Sequence, residues 1–194
     1  MTVNIVLQVY MILYRNVHLF FYDSFVSIMG NVVSNETLDT LQVALPITSV
    51  LASGVVAGFL SGVTFLSVRT FNTLVQKKEA DTIKKVFAIW WPYGKSFMVP
   101  GLAFNLLSHM SSYGVTGNKM WIVTGCSISS VGLWTALVMK EDIETLRGNK
   151  KEIGDEDVYS FTTSFCRAHH PRLGLALFSF VTSVLVVTKQ IPAW

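Results

Sequence analysis

Four stretches of this chain run without a charged side chain: between Asp39 and Arg69, between Lys95 and Lys119, between Lys119 and Lys140, and between Arg172 and Lys189. A helix that crosses a bilayer needs roughly 17–25 mostly apolar residues. The first three stretches meet that length. The fourth reaches it if Arg172 and Lys189 extend their charged ends to the two interfaces. A soluble helix would carry a polar face, and here charge is missing all the way round. The pattern therefore predicts an all-α integral membrane four-helix bundle, with spans at about 46–68, 97–115, 120–139 and 173–188 forming a transmembrane domain over 46–194.

Residues 1–45 form a separate apolar N-terminal segment. Within it Asn4, Gln8, Arg15 and His18 fall within about 80° of one another on a helical wheel. That spacing fits an amphipathic helix in the interface. A signal anchor or an upstream extension of the gene also fits. Lys77 to Trp91 reads as an additional interfacial helix, with Ile83, Phe87, Trp90 and Trp91 along an apolar edge. Pro92-Tyr93-Gly94 is expected to break it before the second span.

Inside the spans, small and polar residues share faces. Gly54, Gly58 and Gly62 recur every four residues, a pattern that lets another helix approach closely. Packing within the bundle is the favoured reading, and a homo-oligomer through these glycines is the alternative. Gly101, Asn105, Ser108, His109 and Ser112 lie on one face of the second span, opposite Leu102, Leu106 and Leu107. Lipid cannot satisfy an amide or an imidazole, so this face points inward. Thr124, Ser127, Ser130 and Trp134 repeat the arrangement in the third span, and Gly174, Ser179, Thr182 and Ser183 in the fourth.

Composition adds to this picture. Charged residues are 14% of the 194, against about 25% in soluble domains, and the mean hydropathy is +0.48. The net charge of +3 is no sign of nucleic-acid binding, because the cations collect at span boundaries. Arg69, Lys77, Lys78, Lys84, Lys85 and Lys95 fill one connection. Lys140, Arg147, Lys150, Lys151, Arg167 and Arg172 fill another. The positive-inside rule puts both connections, 69–96 and 140–172, in the cytoplasm. Asn35-Glu36-Thr37, a glycosylation sequon, then faces the lumen. Cys126 falls in a span and Cys166 in a polar loop, so no disulfide joins them, and no metal-ligand spacing is present.

Candidate chemistry is confined to a few residues. His109 is ionisable inside a span, which marks it as a base or ligand unless a neighbouring helix satisfies it. Arg167, His169, His170 and Arg172 surround Pro171 at the entrance of the fourth span. They suit an anionic oxygen or a proton transfer, or simply anchor the helix at the interface.

Trp91-Pro92-Tyr93-Gly94-Lys95 with Pro100, Trp134-Thr135, and the run from Phe165 to Leu175 together resemble the DUF1772 group of small four-span membrane proteins, which includes the fungal anthrone oxygenases. The resemblance covers roughly residues 50–187. The chain departs from the group at Glu141-Asp142-Ile143, where a Pro-x-Asn element is usual, and at Phe165, where tryptophan is usual. The resemblance implies a cofactor-independent oxygenase, a monooxygenase of the endoplasmic reticulum acting on an apolar aromatic substrate and dioxygen, with neither metal nor cofactor. Taken together with the inward polar residues, it points to His109, His169, His170 and Arg172 as catalytic residues, and to Trp91, Tyr93, Asn105, Trp134 and Thr135 as substrate-binding residues. Two other functions fit the bundle: a non-catalytic membrane scaffold or assembly factor, and a haem or quinone binder, for which only His109 is clearly mid-span.

Overall fold

The computed structural model describes residues 34–148 and 153–189, and among them every regular element is helical. Helix α1 spans Asn35–Gly62 and continues through a π-helical segment, Val63–Val68, into α2, Arg69–Gln76. The others are α3, Ala80–Thr116; α4, Met120–Leu137; α5, Lys140–Leu146; and α6, Asp155–Val187. Segment 1–33, predicted as an interfacial or anchor helix, lies outside the described residues.

Three helical stretches are long and apolar enough to cross a membrane: Glu36–Gln76, Met120–Leu137 and Asp155–Val187. This composition marks the chain as a membrane protein. The helix carrying the predicted second span, α3, is not among the three. Its inward face holds Asn105, Ser108, His109 and Ser112, all buried, and those side chains lower its hydropathy.

Several boundaries differ from the sequence pattern. The predicted interfacial helix and second span are one continuous helix, with Pro92 and Pro100 inside it. A proline removes one backbone donor and crowds the carbonyl four residues earlier, which normally ends a helix. Here Phe87, Trp90 and Trp91 on the preceding turns are held in an aromatic cluster with Phe71 and Phe165, with centroids 5.1 Å apart for Phe87 and Phe165. Packing of several aromatic rings on that scale offsets the cost of an interior proline, about 3 kcal/mol. The break comes earlier, at Lys78, whose φ is 57°. Lys78 N–H donates to Val75 O and Glu79 N–H to Leu74 O, the paired bonds of a left-handed helix stop. The connection read as a loop over 140–172 is also largely helical. Cys166, expected in a polar loop, is buried in α6 with its thiol 4.0 Å from Val68 O.

The chain divides into two compact units. In one, described over residues 34–54, 103–129 and 177–189, Met110, Tyr113, Trp121, Ile122, Cys126 and Val186 form the core. Polar side chains cross between helices within it. Ser49 and Ser112 hydroxyls lie 2.8 Å apart, and Ser179 donates to Thr124 O at 3.0 Å. An added Cβ at Gly54 would lie 3.1 Å from the Phe180 ring. The glycine stripe therefore makes one close approach, while Gly58 and Gly62 face open space. The other unit, residues 55–102 and 130–176, is built on the aromatic cluster with Val68, Ile83, Met139, Leu146 and Val158.

Candidate ligand-binding cavity

The second unit holds a partly open cavity of about 550 Å³. Drug-sized ligands occupy pockets of roughly 300–1,000 Å³. Its apolar walls include Phe59, Leu60 and Val63 from α1 and the π-helical segment, and Trp90, Trp91, Met98 and Leu102 from α3. Thr135 and Gly132 of α4 and His169 and Arg172 of α6 complete that part. Helix α5 supplies Lys140, Ile143 and Glu144, and the residue capping its end supplies Arg147. Their spacing of three, four and seven residues puts them on one helical face. Lys140 and Glu144 pair at 3.9 Å and are 69% and 42% exposed, so this end of the cavity is polar.

Arg172 is 5% exposed. Its Nη1 donates to His169 Nδ1 at 3.2 Å and lies 3.9 Å from Met139 Sδ. Its Nε is buried with no partner. Among the described residues no carboxylate stands within ion-pair distance of this guanidinium. A buried charge is normally paired and hydrogen-bonded, because its lost hydration is otherwise uncompensated. The cavity thus carries a cation with a spare donor.

The tautomer of His169 follows from its partners. Arginine can only donate, so Nδ1 accepts. Nε2–H then donates to Leu60 O at 3.3 Å. His169 is neutral in this arrangement, and its basic nitrogen is covered only by Arg172. A ligand oxygen that draws the guanidinium toward itself would free that nitrogen.

Trp91, Thr135, His169 and Arg172 therefore share one cavity. The remaining predicted residues fall elsewhere. Tyr93 is 75% exposed and borders an outer groove. His170 is exposed. Trp134 borders a separate recess and donates Nε1–H to Ala168 O at 2.9 Å. His109 and Asn105 belong to the other unit. There His109 Nδ1–H donates to Asn105 O at 2.8 Å, and Nε2 accepts from Ser183 at 3.1 Å. Ser53, 3.3 Å from Nε2, gives its own proton to Asn105 Oδ1 at 2.9 Å. Both ring nitrogens of His109 are thus occupied, as the structural alternative for a mid-span histidine requires.

The cavity residues missed in the sequence are those of α5, which was read as loop. The signal was present in the periodic spacing of Lys140, Ile143, Glu144 and Arg147. Asp142, on another face of α5, is 6% exposed, and its Oδ2 has no partner. Burial raises its carboxyl above the ordinary value; a hydrogen bond from Ser164 opposes the rise and the charge of Glu141 adds to it.

Fold and cavity together define a helical membrane protein with a partly open, mostly apolar pocket and a buried cation. No family model, curated protein or solved structure matches the chain.

Proposed function

We propose that this chain is a four-span membrane protein of the anthrone-oxygenase-like DUF1772 group. In this reading it binds an apolar aromatic substrate in the cavity and oxidises it with dioxygen, without metal or cofactor. The observation that carries the reading is the convergence of Trp91, Thr135, His169 and Arg172, which are far apart in sequence and belong to the motifs of the resemblance, around one apolar space. The unpartnered Nε of Arg172 supplies what such a substrate needs, a donor for an anionic oxygen.

The chemistry balances with these groups. An anthrone carries an acidic benzylic CH₂ opposite its ring oxygen. Arg172 turns to that oxygen and uncovers His169 Nδ1, which takes one benzylic proton. The charge moves onto the ring oxygen, where the guanidinium stabilises it. The electron-rich anion reduces dioxygen and forms a carbon–oxygen bond, and protonation gives a hydroperoxide. Loss of the second benzylic hydrogen as a proton, with cleavage of the O–O bond, releases water and leaves the quinone carbonyl. One dioxygen thus yields one carbonyl oxygen and one water.

In this reading the chain has four spans, with 69–96 and 140–172 on the cytoplasmic side of the endoplasmic reticulum membrane. Lys95, Lys140 and Arg147 then stand at headgroup depth. The test is oxygen uptake with emodin anthrone by purified protein. Uptake and quinone formation above the spontaneous rate are expected, lost in His169→Gln and kept in His170→Gln. Uptake no faster than background, or undiminished in His169→Gln, would sink the proposal.

A further inference from the structure

Four cations line the partly open cavity, Lys95, Lys140, Arg147 and Arg172, against the single carboxylate of Glu144. The oxidation proposed above calls on Arg172 alone. Lys95, Lys140 and Arg147 are exposed while Arg172 is buried, so the first three stand at the opening. Lys95 follows Gly94 on α3. Lys140 is the first residue of α5, and Arg147 caps its end, donating its backbone N–H to Ile143 O at 3.0 Å. Gly148 then takes a φ of 75° and donates to Thr145 O. Glycine adopts that left-handed conformation without steric penalty, so the chain turns away and leaves Arg147 at the helix end.

Glu144 does not neutralise this rim. Its contact with Lys140 is 3.9 Å long and both side chains are well exposed. Exposed pairs of that kind are weak, and lysine preceding glutamate is the less favourable order on a helix. Among the described residues this is the one ion pair, so Lys95 and Arg147 face no acid. Cations gathered around one opening with low-dielectric walls raise the local concentration of anions. Further in, Arg172 keeps an N–H with no partner.

We propose that the cavity takes a ligand with two acidic groups: a ring oxygen that meets Arg172, and a carboxylate that Lys95 and Arg147 hold at the opening. The inference rests on the cavity taking an aromatic ligand, as above, and narrows the class to an aromatic carboxylic acid. The apolar body of such a molecule lies against Trp90, Trp91 and Leu102. A phospholipid phosphate offers the rim the same chemistry. A small acid reaches both the rim and Arg172, whereas a headgroup at the surface leaves the spare N–H of Arg172 unanswered.

Binding of two stable quinones tests this without any oxidation. The full chain in neutral detergent is titrated with anthraquinone-2-carboxylate and with its carboxamide, which differ in charge but scarcely in size. Quenching of Trp90 and Trp91, which line the cavity, reads the binding. The carboxylate is expected to bind about fivefold more tightly, with the advantage shrinking as salt rises. Lys95→Gln with Arg147→Gln should remove the advantage and leave the carboxamide bound as before. Lys84→Gln with Lys85→Gln takes away the same charge outside the cavity lining and should preserve it. Equal binding of acid and amide by wild type, or an advantage that survives the rim variant, would overturn the proposal. So would an advantage lost only in Arg172→Met, which would seat the carboxylate on that guanidinium. An advantage abolished by a small fraction of phosphatidylglycerol, with the carboxamide undisturbed, would assign the rim to lipid headgroups and overturn it too. If the preference holds while emodin anthrone is not oxidised, the two-acid site stands and the oxygenase reading falls; oxidation without the preference does the reverse.

Discussion

Replacing Arg172 by methionine should stabilise the empty protein and weaken ligand binding at the same time. The guanidinium is 5% exposed and has no carboxylate partner among the described residues. The effective penalty for a buried ion is several kcal/mol. Its compensation here is one hydrogen bond to His169, a long contact to Met139 Sδ, and nothing at Nε. Methionine keeps the apolar stem and removes the charge. It leaves His169 Nδ1 without a donor, a loss of about 1–3 kcal/mol. The net change is a gain on the order of 1–3 kcal/mol for the empty protein. A ligand anion loses a charge-assisted bond of about 1.5–3 kcal/mol, so its Kd rises roughly ten- to a hundredfold. Thermal unfolding in detergent reads the first effect, and tryptophan quenching by emodin anthrone the second. A methionine variant less stable than wild type in the absence of ligand would show that Arg172 holds the fold together, and the reasoning from its unsatisfied charge would be refuted.

Two further substitutions probe the packing and the pH response. Gly125→Ala sets a methyl group 2.8 Å from Met110 Cε and 3.0 Å from His109 Cβ; the methionine end can rotate away but the histidine Cβ cannot, so a loss of about 1–3 kcal/mol is expected in chemical denaturation. Gly132→Ala, which meets only the Leu102 side-chain end at 3.3 Å, should cost visibly less, and equal losses would contradict this account. Asp142, with its folded pKa raised above the ordinary 3.8, binds its proton more tightly in the folded than in the unfolded chain. Stability should therefore fall as pH rises from about 4 through the raised value, and Asp142→Asn should flatten that part of the profile. A slope unchanged in the asparagine variant would assign the pH dependence to another group.

The helical class and the membrane setting were legible because they depend on composition over windows of about 20 residues. The apolar run at Met120–Met139 foretold α4 closely, whereas the run at Pro46–Val68 lies inside a longer helical stretch that begins at Asn35 and continues to Gln76. Helix ends were less legible. Pro92 and Gly94 carry a local signal to stop, yet α3 passes through them because the Phe87, Trp90, Trp91 and Phe165 rings pack around that stretch. Lys78 carries no such signal and still takes the left-handed conformation that ends α2. Of the small and polar residues expected to face inward, Asn105, His109, Ser112, Thr124, Ser179 and Ser183 are buried, while Gly174 is exposed.

The sequence by itself determined which side chains must avoid lipid, since an amide, an imidazole or a hydroxyl in hydrocarbon is costly wherever the helix lies. It did not determine which of them meet. His109 and His169 look alike as histidines in an apolar chain. Only the tertiary structure gives His109 a closed set of hydrogen bonds and leaves His169 beside a buried arginine with a free N–H. That difference arises from contacts such as Ser183 with His109 and Leu60 with His169, which are separated by 74 and 109 residues. Distances of that kind have no local trace in a sequence, because they are set by how whole helices pack.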